Sequence, residues 1–202
     1  MKLDRKFFER DTLIVAKELL GKILVRNKNN EIIKCRIVET EAYIGPIDKA
    51  CHAYGGKKTD RVKPLYGKAA VAYVYFIYGL YHCINITTGQ EGSPECVLIR
   101  AVEPIQGIDY MSLNRYNEPY DKINRYKRKN LCNGPSKMTM ACNITKEDNW
   151  VDLTESEDLY IENDESKFNI IEAKRIGIDY AEEAKDFLWR FYIEGNQYIS
   201  KK

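Results

Sequence analysis

Two long segments of the chain alternate between apolar and polar residues, and this period of two predicts β-strands. One segment is 31–43, and the other is the tyrosine-rich run 73–85, which we interpret as a hairpin. In the first segment, Glu39, Glu41 and Tyr43 fall on the same face. The pattern therefore places carboxylates beside an aromatic ring on one surface of a sheet.

The other apolar runs are short and separated by turn residues, which predicts antiparallel strands. The remaining predicted elements are a helix over 12–20 capped by Asp11, strands over 23–26 and 96–102, a helix opened by Pro104, a helix opened by Pro135, and a closing hairpin that joins 191–193 to 198–200. The glycines and prolines of 45–67 predict a long ordered loop. We expect one mixed α+β domain over 1–202.

The stretch 69–90 carries no formal charge and is long enough to cross a bilayer. Its tyrosines, asparagine and central glycine suit buried strands better than a lipid-facing helix, so we expect no membrane association. The first residues lack the apolar core of a signal peptide, which predicts a cytoplasmic protein. In a bacterium it would lie with the nucleoid.

Metal and cofactor chemistry is not indicated by the sequence. The six cysteines are well separated, and the two histidines do not pair with them at zinc-ligand spacing, so we expect reduced thiols. A structural zinc site is the disfavoured alternative. The chain also has no phosphate-cradling glycine-rich motif, and we expect no cofactor.

The net charge of +2 conceals a basic segment over 114–137 and an acidic one over 152–165. A basic run is usually a solvated face, but it can also contact nucleic acid. The predicted helix start at Pro135 would offer free backbone N–H groups to an anion such as a phosphate, although an ordinary helix cap is the simpler explanation.

Several polar residues occur where burial is expected. Arg100 interrupts the apolar run 97–102, and Asn85 lies between two isoleucines. A buried arginine needs a carboxylate partner, for which Glu39 or Glu41 is available. The pair could be structural, and the glutamates could also lie on a wet strand edge. Alternatively, a glutamate here could hold a water and act as a general base.

The tyrosines of the hairpin allow two interpretations. Tyr73 and Tyr75 share a face and could be core residues, or they could form walls for a base together with Tyr43. Tyr78 precedes Gly79 at the predicted hairpin tip, where a core role is difficult to arrange. An aromatic side chain at such a tip suits insertion into a duplex to fill the gap of an extruded nucleotide.

Several ordered motifs resemble the alkyladenine (3-methyladenine) DNA glycosylase family of the mammalian type, which is also found in bacteria. They are RIVETEAY at 36–43, GP at 45–46, the loop residues from His52 to Arg61, YVYFIYGLYHCIN at 73–85, VLIRA at 97–101, CNGPSK at 132–137 and RFY at 190–192. The resemblance implies a single compact α+β domain with a curved, mainly antiparallel sheet, a protruding hairpin and flanking helices.

The resemblance also implies roles for individual residues. Glu41 would activate the water that attacks C1′ of a flipped nucleotide, and Arg100 would position it. The base pocket would be formed by Tyr43, His52, Tyr75 and Asn85. Tyr78 would intercalate, and phosphate contacts would come from Lys57, Thr59, Arg61, Ser136 and Lys137.

The implied function is that of a monomeric DNA glycosylase that removes damaged purines from double-stranded DNA. Because no lysine lies next to the predicted nucleophile position, we expect a monofunctional enzyme that leaves an abasic site. Two departures from the family pattern are Val62, where an asparagine is frequent, and Leu80, where methionine is commoner. The alternatives are a non-catalytic module that captures damaged bases and a nucleoside hydrolase. The hydrolase is disfavoured because it would need neither Tyr78 nor the basic segment.

Overall fold

The computed structural model describes residues 1–77 and 79–201. Within them, one antiparallel sheet is built around a long central strand, β2. The strands are β1 (Ile23–Lys28), β2 (Glu31–Ile44), β3 (Ala72–Ile77), β4 (Tyr81–Thr87), β5 (Glu95–Gln106), β6 (Leu159–Glu162), β7 (Ile170–Ala173) and β8 (Arg190–Ile193). Their order is β3-β4-β5-β2-β1-β6, and β8 pairs with both β2 and β7. The predicted mixed α+β fold with a curved sheet is confirmed.

Short helices flank the sheet. They are α1 (Arg5–Phe8), α2 (Thr12–Glu18), α3 (Ile108–Tyr116), α4 (Arg125–Lys129) and α5 (Pro135–Ala141). The Asp11 side chain accepts hydrogen bonds from the backbone N–H groups at the start of α2, which confirms the predicted cap. None of the helices in the described part of the chain is long and apolar enough to span a membrane.

The main core lies between the sheet and the helices. Val38 and Ala42 of β2 are fully buried in it, and the Thr40 hydroxyl donates to the Ala16 carbonyl of α2 over 2.8 Å. Because side chains alternate along a strand, this packing turns the face of Glu41 away from the helices. The core thereby fixes which β2 side chains are available for a site.

Two predicted elements are wrong. Pro104 does not open a helix but lies inside β5, opposite Cys35, and α3 begins only after Gly107. Proline has no N–H to donate to a neighbouring strand, and it is tolerated here because the pairing of β5 with β2 is interrupted by a bulge next to it. The predicted strand 198–200 does not form, since β8 pairs with β2 and β7 instead. The backbone N–H of Ser200 donates to the Glu39 carboxylate rather than to a hairpin partner.

The predicted tyrosine hairpin is present as β3 and β4. Tyr73 pairs with Asn85, and Ile77 pairs with Tyr81 at the end of the hairpin next to the turn. Tyr78 itself lies outside the described residues. The loop 45–67 contains three short 3-10 helices, at Gly45–Ile47, Tyr54–Gly56 and Asp60–Tyr66. Val62 is buried in the last of these with Leu65 against Tyr73, so the hydrophobic residue at this position anchors the loop.

Candidate active site

Glu41 is the centre of a buried polar cluster on the β2 face opposite the main core. Its carboxylate is fully buried and accepts a 2.7 Å hydrogen bond from the Tyr43 hydroxyl and a 2.8 Å bond from the Ile176 backbone N–H. The Arg100 guanidinium lies 3.2 Å away. The wet-edge interpretation of Glu39 and Glu41 is therefore excluded, because both are 0% exposed.

Arg100 pairs with two carboxylates rather than one. Its Nε lies 3.2 Å from Glu39 Oε1 and its Nη1 lies 3.2 Å from Glu41 Oε1. Burial acts to lower the pKa of Arg100, but the charges of Glu41 and Glu39 outweigh burial and raise it. The guanidinium therefore remains positive beside Glu41. A carboxylate partner for buried Arg100 was predicted, and both candidates, Glu39 and Glu41, pair with it.

A cavity of about 270 Å³ opens beside this cluster. Its lining includes six of the predicted residues, namely Tyr43, His52, Tyr75, Asn85, Arg100 and Ser136. Pockets for drug-sized ligands have volumes of about 300–1,000 Å³, so this cavity suits a smaller ligand, such as a single purine base. The Glu41 carboxylate lies behind this lining, where it accepts a hydrogen bond from Tyr43 and forms an ion pair with Arg100.

Aromatic rings form one wall of the cavity. The His52 and Tyr75 rings meet edge to face at 4.7 Å, and the Tyr73 and Tyr75 rings lie 5.2 Å apart. Tyr73 is 2% exposed, as a core residue would be, and it also lines the cavity beside Tyr75.

His52 is neutral at physiological pH. Burial, then the positive charges of Arg61 and Lys57, lower the pKa of His52 to about 4. Its Nδ1 lies 2.9 Å from the Tyr73 hydroxyl, and burial raises the pKa of Tyr73 so that the hydroxyl keeps its proton. When that hydroxyl donates to Nδ1, the neutral ring carries its own proton on Nε2 and can donate there.

Part of the cavity lining combines an amide with thiols. The Asn85 amide donates to the Tyr73 carbonyl over 3.3 Å, and its oxygen lies 3.7 Å from the Cys96 sulfur. Cys51 and Cys83 also line the cavity, and burial raises the pKa of each thiol to about 11. These cysteines are neutral lining groups, a role that their scattered spacing in the sequence did not indicate.

Arg175 and Asp48 are site residues that the sequence analysis missed. They form a fully buried bidentate ion pair with N···O distances of 2.5 and 2.8 Å. The guanidinium lies 4.7 Å from the centre of the Tyr43 ring and 5.1 Å from that of Trp189. The pair thus supports the ring of Tyr43. Arg175 could have been found by the argument applied to Arg100, since it precedes the apolar residues Ile176 and Ile178.

The predicted phosphate-binding residues occupy two different settings. Lys57, Thr59 and Arg61 are exposed in the loop before β3, and the Arg61 guanidinium lies 5.2 Å from the centre of the Tyr75 ring. Ser136 lines the cavity, whereas the Lys137 ammonium already donates to two asparagine side chains at 2.7 and 2.8 Å. The three exposed loop residues are therefore more accessible to a phosphate than Lys137, whose ammonium is already hydrogen-bonded.

An aromatic cavity of one-base size, backed by a buried carboxylate and arginine, is the site expected of an enzyme that hydrolyses an N-glycosidic bond. No cluster of three or more histidine, cysteine or acidic side chains suited to a metal ion occurs in the described ranges. The comparison with known proteins agrees with this class.

The family model described as methylpurine-DNA glycosylase matches residues 6–197. Proteins from Clostridium tetani, Clostridium perfringens (strain SM101) and Clostridium botulinum (strain Hall) are 61%, 56% and 55% identical over 203, 205 and 206 residues. The alignments cover all of both chains, and each relative is assigned as a 3-methyladenine DNA glycosylase. The chain belongs to the methylpurine-DNA glycosylase family, and the predicted resemblance is confirmed.

Proposed function

We propose that this protein is a monofunctional DNA glycosylase that flips damaged purines out of duplex DNA and hydrolyses their N-glycosidic bond. The substrates we propose are 3-methyladenine, 7-methylguanine, hypoxanthine and etheno-adenine, whose removal initiates base excision repair. The observation that carries the proposal is the buried Glu41 carboxylate, which is hydrogen-bonded to Tyr43 and ion-paired with Arg100, two residues that line a base-sized aromatic cavity.

Glu41 is equipped to activate a water. A carboxylate has about four acceptor positions, of which the Tyr43 hydroxyl and the Ile176 N–H occupy two, while the Arg100 guanidinium faces a third as an ion pair. The remaining position can accept a proton from a water beside the sugar. The water oxygen then bonds to C1′, and the electron pair of the C1′–N bond leaves with the base. The ionised carboxylate also stabilises the positive charge that develops on the sugar.

The cavity lining offers two forms of selection. The faces of Tyr43 and Tyr75 favour purines that carry positive charge after methylation, because aromatic faces attract cations. Asn85 would obstruct the 2-amino group of normal guanine, as the family resemblance implies. Neutral His52 adds a donor at Nε2 without adding a charge that would repel a cationic base.

Binding of the duplex would involve groups around the cavity mouth. We assign the phosphate contacts to Lys57, Thr59, Arg61, Ser136 and Lys137 and the intercalating role to Tyr78. The role of Tyr78 rests on the sequence resemblance, since this residue lies outside the described part of the chain. We further propose that the protein acts as a monomer and that 1–202 form one glycosylase domain.

The test is release of free base from duplexes that contain one hypoxanthine or one 3-methyladenine. The proposal predicts free base and an intact abasic strand that breaks only after alkali, because no lysine nucleophile takes part. Retention of damaged duplex without any base release would instead support the alternative, a non-catalytic module that captures damaged bases.

A further inference from the structure

Glu39 lies beside the proposed site in a second buried polar cluster. Its Oε1 lies 3.2 Å from Arg100 Nε and 3.0 Å from Arg190 Nη1, and it accepts a 2.8 Å hydrogen bond from the Ser200 hydroxyl. Its Oε2 accepts the backbone N–H of Ser200 over 2.5 Å. Glu39 itself is 0% exposed, so these partners replace the water that a surface carboxylate would have.

The sheet explains why these groups meet. Strand β2 pairs with β5 on one side and with β8 on the other, and its register shifts on either side of Glu39. Arg100 of β5 and Arg190 of β8 thereby approach the same carboxylate from both sides. The chain that follows β8 then returns to Glu39 through Ser200, which explains why the residues 198–200 do not form the predicted strand.

The arrangement controls the orientation of Arg100. Its Nε contacts Glu39 and its Nη2 donates to the Ser200 hydroxyl over 3.3 Å, while Nη1 contacts Glu41. A guanidinium is planar and rigid, so fixing two of its nitrogens also fixes the direction of the third. Without Glu39 and Ser200, the guanidinium could rotate away from Glu41.

We propose that Glu39 and Ser200 are positioning residues that hold Arg100 against Glu41 and so set the rate of the hydrolytic step. This inference rests on the proposed function. Neither residue lines the cavity, so neither is expected to contact the flipped base. Misplacement of a catalytic group by about 1 Å can lower a rate by about a hundredfold, so a residue behind the lining can affect chemistry.

The experiment compares single-turnover base release and DNA affinity for Ser200→Ala, Ser200→Thr and Glu39→Gln. Ser200→Ala removes the hydroxyl but keeps the backbone bond to Glu39, and we expect about tenfold slower release with an unchanged Kd. Ser200→Thr keeps the hydroxyl and should restore the rate. Glu39→Gln should slow release by about a hundredfold, because it removes a charge that faces both Arg100 and Arg190.

A matched control is Ser93→Ala. The Ser93 hydroxyl also donates to a glutamate, Glu95, over 2.8 Å, but it does so outside the Arg100 cluster. This variant should have the wild-type rate, and thermal denaturation of both serine variants measures the stability that each one loses. A rescue by threonine and a normal rate in the control are results that general destabilisation would not produce.

The inference is overturned if Ser200→Ala releases base at the wild-type rate, or if Ser93→Ala is slowed equally. Failure of the proposed function would look different, since wild-type protein would release no base or Glu41→Gln would remain fully active. If Glu39→Gln does not fold, the two Ser200 variants still decide the question.

Discussion

The Tyr43 hydroxyl donates a 2.7 Å hydrogen bond to the carboxylate of Glu41, two residues earlier on the same face of β2. Burial and then the negative charge of Glu41 raise the pKa of Tyr43 well above its usual range, so this hydroxyl keeps the proton that it donates. A single side chain therefore offers its ring to the cavity and its hydroxyl to the carboxylate behind it. Substitutions can separate these two functions.

Tyr43→Phe removes the donor and keeps the ring. A hydrogen bond to a charged group contributes about 1.5–3 kcal/mol, so we expect single-turnover base release to slow by about ten- to a hundredfold. Affinity for damaged duplex should remain within about twofold, because no wall of the cavity is lost. Tyr43→Ala serves as the control and should lose affinity as well. If Tyr43→Phe releases base at the wild-type rate, the hydrogen bond from the Tyr43 hydroxyl does not contribute to the activity of Glu41.

Arg175→Met should destabilise the fold through Asp48. The substitution leaves a buried carboxylate without its cation, which costs about 3–5 kcal/mol in the free energy of unfolding. Urea denaturation of the wild type and the variant measures this difference. The double variant Arg175→Met with Asp48→Leu removes both charges and should recover much of the loss. Equal instability of the single and double variants would mean that Arg175 stabilises the fold by packing on Tyr43 and Trp189 rather than by its charge.

The low pKa of His52 predicts a specific pH dependence of stability. The pKa of His52 is about 4 in the folded state, below the ordinary pKa of 6.5. Between these pH values His52 is protonated in the unfolded chain but not in the folded chain. The free energy of unfolding should therefore fall as pH decreases from about 6.5 towards 4, by up to about 3 kcal/mol. His52→Gln should lack this component.

Proton-detected NMR can follow the His52 ring directly. Comparison with the His52→Gln spectrum assigns the signal, and its chemical shift should stay constant between about pH 5 and 8. A midpoint near the ordinary value would contradict both the buried setting of the ring and its proposed role as a neutral donor.

Lys57→Gln tests the phosphate contacts of the loop. Each phosphate that a cation neutralises contributes about 0.9 to the slope of log affinity against log salt, so this slope should become shallower by about one unit. Lys167→Gln is the matched control, because this exposed lysine follows β6, at the opposite edge of the sheet from β3. Identical slopes for the wild type and Lys57→Gln would remove Lys57 from the interface.

The sequence was informative wherever local periodicity decides the structure. Alternation along β2 placed Glu41 and Tyr43 on one face, and Asp11 marked the start of α2. The predicted cavity residues Tyr43, His52, Tyr75, Asn85 and Arg100 come together as expected. Their motifs are local, and the hairpin and β5 bring them to one place.

Long-range pairing could not be predicted in the same way. Pro104 was misassigned because the bulge that accommodates it depends on the partner strand β2. Asp48 and Arg175 are 127 positions apart in the sequence, so even where the apolar residues after Arg175 indicate its burial, nothing local indicates that Asp48 is its partner. Ser200 and Glu39 are separated by an even longer stretch of sequence. Their contact replaces the local hairpin that the turn residues alone would favour.

The most direct test of the role of Glu41 is single-turnover release of hypoxanthine and 3-methyladenine by the wild type and by Glu41→Gln. Glutamine keeps the shape of the side chain but cannot accept the proton of the attacking water. The general-base role of Glu41 predicts that release is lost, by about a thousandfold or more, whereas affinity for damaged duplex is retained. Release by Glu41→Gln at a rate close to that of the wild type would contradict it.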